Sequence, residues 1–259
     1  MDGFSHDASH VFSSAEEEIY AQWLKILESA EIEYAVGGAY ALGFHTNIWR
    51  NTKDLDIFVT PADLRKTLKT MQESGFWTTV KNTSWLAKFR SENYFMDLIF
   101  GLSNHANKID RSWIENAVPA EIFGISSRVL RPEEFLASKV YVMRRERFDG
   151  SDIAHLIRAV KGRLNWERIL EILQQDRQLL LWHLLFFDYV YPGHSNYLPT
   201  DLMAYLFDKA KRRWQDGNIP KEAFFGMRVD PKQFEIDLDR FSYKGEKRGP
   251  LVDEKGKEI

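Results

Sequence analysis

The chain has 259 residues, 44% hydrophobic and 14% aromatic, which is enough for one large domain or two smaller ones with apolar cores. The formal net charge of −3 excludes a global basic field of the kind that drives sequence-independent binding to nucleic acid, although it leaves room for a local basic patch. The absence of cysteine excludes disulfides, thiolate zinc sites and cysteine nucleophiles.

Neither the N-terminal stretch nor the longest apolar stretch suggests a secreted or membrane protein. The N-terminal stretch MDGFSHDASHVFSSAEEE carries neither a basic leader nor an apolar run. The longest apolar stretch, LLLWHLLFFDYVY, is too short to span a bilayer and is interrupted by His183 and Asp188. We therefore expect a soluble, cytoplasmic protein without membrane contact.

The first half of the chain predicts alternating helices and strands. Ser14 and Glu17 form a capping-box pattern that opens a helix through EEEIYAQWLKILESA. A strand, EYAVGG, ends at Gly37 and Gly38, and the short helix AYALGFH follows it. After a polar loop comes the strand DLDIFV, and then a helix through ADLRKTLKTMQESG.

Three more strands and a hairpin follow this helix. The segments FWTTVKN, WLAKFRS and YFMDLIFG are short, rich in aromatic or β-branched residues and bounded by Asn, Ser or Gly, and AVPAEIFGISSRVL predicts a further hairpin. Because strands that are consecutive in sequence usually lie side by side, we expect them to pair with their neighbours.

Beyond Arg131 the pattern becomes helical, and it includes PEEFLASKVYVMRRERF and NWERILEILQQDRQLLLWHLLFFDYV. After Gly217 the Lys/Glu/Gly-rich segment has little to pack with, so we expect an extended polar tail. The predicted division is therefore 1–130, 131–216 and 217–259.

Two aspartates lie at the start of an apolar strand. Side chains alternate along a strand, so Asp54 and Asp56 point to the same side with Cα atoms about 7 Å apart. Carboxylates this close repel each other unless a cation or a proton lies between them, and hard divalent ions such as Mg²⁺ prefer oxygen ligands. Asp97 is the one charged residue of the strand YFMDLIF. If the two strands are neighbours, the three acids converge.

Each of these features also has a structural interpretation. A lone D-x-D is usually a solvated turn or a helix cap, and Asp97 alone would be explained by pairing with a buried arginine or lysine. The coincidence of all three acids with a glycine pair after an earlier strand is what favours a functional interpretation.

The glycine pair permits a sharp turn from strand to helix and a close approach of backbone amides to a phosphate at the helix N-terminus. Gly38 and Gly43 have the spacing of a P-loop, but Phe44 and His45 stand where lysine and serine or threonine are needed, so we predict no P-loop. The alternative interpretation of Gly37 and Gly38 is a tight turn alone.

Together, the strand, the glycine pair, the segment RNTKDLDI and the later acid resemble the nucleotidyltransferase superfamily related to DNA polymerase beta. The likeness is greatest to the bacterial branch that contains aminoglycoside and lincosamide nucleotidyltransferases and AbiEii-type toxins, and it covers roughly Ile32 to Ala159. It implies an α+β fold, in which a mixed twisted sheet flanked by helices carries the acids at one end and precedes a C-terminal helical domain. Residues 1–130 would then form the catalytic domain.

The resemblance also implies a reaction, in which a nucleoside monophosphate moves from an NTP to an acceptor hydroxyl with release of pyrophosphate. Asp54, Asp56 and Asp97 would be the catalytic residues and would hold two Mg²⁺ ions. The nucleotide would be bound by five further residues, namely Gly37, Gly38, Arg50, Thr52 and Lys139.

The supporting residues carry alternative interpretations. Arg50 and Thr52 serve a loop as readily as a nucleotide, and Lys139 would equally be solvated at the edge of an apolar helix face. Asp149 and Asp152 stand at a predicted helix start, where capping explains acids. The run RRER, 144–147, is typical of an exposed helix face.

Three hypotheses about function follow. The first is an active nucleotidyltransferase, for which the slightly acidic balance favours a small-molecule acceptor over RNA or protein. The second is a nucleotide-binding or partner-binding module without turnover, and the third is a toxin-type enzyme that modifies RNA or protein. The sequence leaves the acceptor, the preferred base and the oligomeric state open.

Overall fold

The computed structural model describes residues 12–52, 54–104, 107–217 and 219–243. They divide into two compact units: the N-terminal unit ends at Arg131, and the C-terminal unit begins at Pro132. Among the described residues, no helix is both long and apolar enough to cross a membrane.

The N-terminal unit combines a sheet with short helices. Its helices are α1 Ser14–Ser29, α2 Gly38–Thr46, α3 Leu64–Glu73 and α4 Arg111–Glu115. Its strands are β1 Ala35–Val36, β2 Asp54–Phe58, β3 Trp77–Asn82, β4 Leu86–Ser91, β5 Tyr94–Ile99, β6 Val118–Ile122 and β7 Ile125–Val129.

These strands form a seven-stranded sheet within the described part of the unit, in the order β3-β4-β5-β2-β1-β7-β6. The pairs β2–β5 and β1–β7 are parallel and the other pairs are antiparallel. The predicted α+β class, a mixed sheet flanked by helices, is confirmed. Both parallel pairs join strands that are distant in the chain, since α3 and the β3–β4 hairpin separate β2 from β5.

Helix α1 begins one residue earlier than its sequence pattern predicts. The N-cap is Ser13, whose backbone N–H donates to the Glu16 carboxylate at 2.7 Å while its hydroxyl accepts from the Glu16 N–H at 3.3 Å. The sequence SSAEEE contains two overlapping capping boxes, so the pattern alone does not choose between Ser13 and Ser14.

The C-terminal unit is mainly helical, as predicted. Its helices are α5 Pro132–Lys139, α6 Gly150–Ala159, α7 Trp166–Leu173, α8 Arg177–Val190, α9 Thr200–Asp216 and α10 Pro231–Phe241, with short 3₁₀ turns at Gln174–Asp176, Pro192–Tyr197 and Gly226–Arg228. Two short strands, β8 Met143–Arg144 and β9 Arg147–Phe148, form an antiparallel hairpin.

That hairpin corrects the prediction of one continuous helix through PEEFLASKVYVMRRERF. Helix α5 ends at Lys139, and the residues that follow, Val140, Tyr141 and Val142, belong to types that favour extended backbone over helix. The run RRER therefore lies in a hairpin and its turn, and its interpretation as an exposed helix face is wrong.

The prediction of an extended tail after Gly217 is also wrong for the residues that the structure describes there. Residues 231–241 form helix α10, and Asp230 caps it by accepting from the Gln233 N–H at 3.2 Å. Arg228 is 4% exposed and donates to both carboxylate oxygens of Asp176, at 2.7 and 2.9 Å. This part of the chain is anchored by a buried ion pair that local composition does not reveal. Residues 244–259 of the predicted tail lie outside the described residues.

Candidate active site

The sheet brings three carboxylates together on one of its faces. Strands β2 and β5 are parallel neighbours, and their register pairs Asp56 with Asp97. Residues paired in this way point to the same face, and Asp54, two positions before Asp56, shares it. Asp54, Asp56 and Asp97 therefore share one face of the sheet, and we call them the carboxylate row.

Strand alternation explains why such acids can begin a strand that enters the core. Leu55, Ile57, Met96 and Leu98 point to the opposite face and are at most 1% exposed. The apolar residues secure the strands by burial, so the other face is left for polar side chains.

A lysine that the sequence analysis did not single out lies against the row. Lys88 on β4 is the antiparallel partner of Asp97, and its Nζ lies 2.5 Å from Oδ1 of Asp97 and 3.9 Å from Oδ2 of Asp54. The side chains are 25% exposed for Lys88, 13% for Asp97 and 34% for Asp54. The alternative interpretation of Asp97, an ion pair with a basic residue, is thus part of the observed geometry.

The signal that places Lys88 there is present in the sequence. Ser91 pairs with Tyr94 across a two-residue turn, and this short connection fixes the register of the whole hairpin. Counting back from the turn puts Lys88 opposite Asp97.

The glycine pair makes room for the second acid of the row. Gly38 has a φ of +53°, and a Cβ on it would overlap the Asp56 carboxylate. A Cβ on Gly37 would overlap the ring of Phe58. These two positions therefore require glycine because the turn into α2 passes so close to β2.

The expectation that both glycine amides cradle a phosphate needs a correction for Gly37. Its N–H donates to the backbone oxygen of Asp56 at 2.9 Å, so the amide belongs to the sheet. The amides of the first turn of α2, beginning at Gly38, have no partners within the helix and carry the positive end of its dipole.

Thr52 acts on the row directly. Its hydroxyl lies 2.9 Å from the backbone oxygen of Asp54 and 3.1 Å from that residue's Oδ1, and it donates to these acceptors. In this geometry Thr52 fixes the orientation of an acid. Arg50 is exposed in the loop before β2.

The remaining predicted nucleotide-binding residue, Lys139, belongs to the C-terminal unit. It is 6% exposed, and its Nζ lies 2.8 Å from Oδ2 of Asp149 and 3.2 Å from Oδ2 of Asp152. The interpretation of Lys139 as solvated at a helix edge is therefore wrong. We call Lys139, Asp149 and Asp152 the buried lysine cluster.

The capping interpretation of Asp149 is wrong as well. Asp149 occupies the N-cap position of α6, but its side chain makes no capping hydrogen bond. Its carboxylate accepts from Arg147 and from Lys139, each at 2.8 Å. Burial alone would raise the pKa of Asp149, but the Arg147 and Lys139 cations hold that pKa below its ordinary value.

The carboxylate row supplies the kind of donor that a hard divalent cation prefers, because Mg²⁺ is bound by oxygen ligands. As they stand, however, no three or more Asp, Glu or His side chains of the described residues form a group that would hold a metal ion. Two members of the row face the ammonium of Lys88 instead.

A comparison with protein families identifies the family of the chain. A family model described as "uncharacterised nucleotidyltransferase" matches residues 19–185. No curated protein sequence matches the chain significantly.

Several solved structures resemble the fold at low identity. The antibiotic-resistance factor ANT(2'')-Ia has a TM-score of 0.47 and 14% identity, with 66% of this chain and 97% of that chain covered. The lincosamide antibiotic adenylyltransferase LnuA, solved with lincomycin, has a TM-score of 0.40 and 16% identity, with 56% of this chain and 96% of that chain covered. An antigenic nucleotidyltransferase-like protein from Paracoccidioides brasiliensis has a TM-score of 0.44 and 18% identity, with 72% of this chain and 93% of that chain covered.

Proposed function

The chain belongs to this nucleotidyltransferase family, as its motifs predict, and from that premise we propose that it transfers a nucleoside monophosphate from an NTP to an acceptor hydroxyl. A new bond forms between the hydroxyl oxygen and the α-phosphorus, the bond from that phosphorus to the bridging oxygen breaks, and pyrophosphate leaves. The observation that carries the proposal is the carboxylate row, with Asp56 and Asp97 in register on parallel strands.

We assign cation binding to all three acids of the row. Two Mg²⁺ ions bound there would neutralise charge on the attacking and leaving oxygens of an in-line displacement. The chain supplies the oxygen ligands, and Thr52 holds the Asp54 carboxylate in one orientation through its hydroxyl. Gly38 lets the start of α2 approach Asp56 closely.

Asp97 is our candidate for the proton acceptor. Its side chain is the less exposed of the two that face Lys88, and it lies near the centre of the sheet. A carboxylate oxygen there would receive the proton of the attacking hydroxyl as the new bond forms.

The first turn of α2 is our candidate for binding the triphosphate. Helix α2 has nine residues and begins at Gly38, beside Asp56, so a triphosphate bound near the row would meet the amides of its first turn. Arg50, exposed in the following loop, would add positive charge. Lys139 is less suited to this task, because two carboxylates already neutralise it.

For the acceptor, we favour a small hydroxylated molecule over RNA or protein because the chain has a net charge of −3. The test is incubation with Mg²⁺ and each labelled NTP, separately with aminoglycosides, lincosamides and bulk transfer RNA. We expect pyrophosphate release together with label on one acceptor class. Failure of every NTP to release pyrophosphate in the presence of Mg²⁺ would contradict the proposal.

A second candidate function is nucleotide binding without turnover. It is favoured by the ion pair between Lys88 and Asp97, which engages an acid that the reaction needs. In the same assay, tight binding of an NTP with no pyrophosphate release would support this second function over the first.

A further inference from the structure

Lys88 places a positive charge where a catalytic cation would have to bind. Its ammonium contacts Asp97 and lies within ion-pair distance of Asp54. Lys88 is paired with Asp97, and Asp97 with Asp56, across the neighbouring strands β4, β5 and β2. The lysine therefore projects from the same face of the sheet as the carboxylate row.

The row cannot hold three negative charges without compensation. Carboxylates on one face at strand spacing repel each other, and a nearby cation relieves the repulsion. An ammonium that contacts Oδ1 of Asp97 and lies near Asp54 repels a divalent ion that approaches the same two carboxylates. The two cations therefore compete for the row, and departure of the ammonium favours binding of the ion.

The ammonium of Lys88 can move away from the carboxylates into solvent. Its side chain is 25% exposed, so its ammonium can reach water without first opening the core. A flexible four-carbon stem allows the charged group to turn away while β4 stays paired. The side chain of Asp54 is also partly exposed, at 34%, whereas that of Asp97 is mostly covered, at 13%.

We propose that Lys88 is a positioning residue that acts as a resident cation of the carboxylate row. It holds Asp97 and Asp54 in place while no metal is bound, and the divalent cation replaces it there. Lys88 therefore sets how tightly that cation binds. The inference rests on the proposed function in one respect, which is that the row binds a divalent cation.

The test measures binding of Mn²⁺ alone, without nucleotide, from the electron paramagnetic resonance signal of the free ion. Lys88→Gln removes the charge and keeps a polar side chain, and we expect it to bind Mn²⁺ about tenfold more tightly than the wild type. Lys88→Arg keeps the charge and should bind no more tightly than the wild type.

Two controls assign the effect to the row. Lys81→Gln removes the same charge from the exposed Lys81 on β3, and it should change the affinity by less than about twofold. The double variant Lys88→Gln/Asp97→Asn should lose the gain, because one of the ligands is gone.

Thermal unfolding gives a second readout. Metal-free Lys88→Gln should melt below the wild type, and Mg²⁺ should raise its melting temperature by more than it raises that of the wild type. If glutamine prevents folding, Lys88→Thr replaces it, since threonine favours strands.

Unchanged or weaker Mn²⁺ binding by Lys88→Gln would overturn the inference, and so would an absence of binding in both proteins. Pyrophosphate release is measured separately. If the wild type releases none but Lys88→Gln still binds Mn²⁺ more tightly, the proposed function fails and the inference about Lys88 stands. If the wild type turns over and the affinities are equal, the inference fails alone.

Discussion

Each unit of this protein sets a lysine against two aspartates, but at different depths. In the N-terminal unit, Lys88 contacts Asp97 and lies near Asp54, and the exposed fractions of these side chains range from 13% to 34%. In the C-terminal unit, the side chains of the buried lysine cluster are 2% to 8% exposed.

The depth decides what each cluster can do. A buried charge that loses its partner stays in a low-dielectric environment, so the cluster of Lys139 is a fixed part of the fold. A partly exposed ion pair contributes little to stability and can exchange its cation with one from solution. The same residue types therefore indicate a structural cluster in one unit and an exchangeable site in the other.

The largest expected effect comes from replacing the lysine of each ion-pair group, Lys139 or Lys88, by methionine. Lys139→Met should lower the free energy of unfolding by about 3–5 kcal/mol, because Asp149 and Asp152 lose a buried partner. Lys88→Met should lower it by about 1 kcal/mol or less. Urea unfolding measures both, and equal losses would contradict the distinction between the clusters.

The next effect concerns the turn that approaches the carboxylate row. Gly38→Ala should destabilise the protein by about 1–3 kcal/mol, because it strains a positive φ and pushes against Asp56, and it should also lower activity. Gly124→Ala is the matched control. Gly124 has a φ of +76° with open space around its Cβ position, so its variant shows the backbone strain alone. Full activity in Gly38→Ala would argue against a close approach at this turn.

A smaller effect on stability, but a measurable one on catalysis, is expected from Thr52→Val. It removes the hydroxyl that orients Asp54 and keeps the side-chain shape. Loss of such a supporting group typically lowers activity or metal affinity by about tenfold or more, while stability should change by about 1 kcal/mol. Steady-state kinetics and urea unfolding together separate the effect on catalysis from the effect on stability. A loss of stability alone would show that Thr52 only supports its loop.

The smallest effect at neutral pH concerns His183, a buried histidine of the C-terminal unit. Burial lowers the pKa of His183, which lies 3.0 Å from the backbone oxygen of Val140 through Nε2. The unfolded chain therefore binds a proton that the folded protein does not, so stability should fall as the pH drops below the ordinary histidine pKa of about 6.5. His183→Gln should flatten this fall between about pH 6.5 and 5. An unchanged slope would show that other groups cause it.

Strand alternation predicted that Asp54 and Asp56 share a face, because alternation is a local rule. The parallel pairing of β2 with β5, which brings Asp97 beside them, joins strands that are distant in the chain, so the sequence offered it only as a condition. The apolar residues next to these acids in sequence, Leu55, Met96 and Leu98, point to the core. The short turn between β4 and β5 fixes the position of Lys88. That residue was missed because a lysine in an edge-proximal strand resembles an ordinary solvated residue.

The C-terminal unit was harder to predict, since distant contacts decide its local structure. The hairpin after Lys139 interrupts a segment with helical periodicity, and the Arg228–Asp176 ion pair anchors a region of polar composition. Neither the burial of Lys139 nor its two aspartate partners can be inferred from spacing alone. The roles of Arg50 and Thr52 toward a nucleotide remain predictions.

The central claim is that the carboxylate row performs nucleotidyl transfer, and the rate of Mg²⁺-dependent pyrophosphate release tests it most directly. Asp56→Asn should lower this rate by at least about a hundredfold, since a metal contributes several kcal/mol to such a transition state. Asp63 lies outside the row, and its carboxylate accepts from the Thr60 hydroxyl at 2.7 Å. The control variant Asp63→Asn should therefore keep a rate near that of the wild type. A wild-type rate in Asp56→Asn would contradict the account.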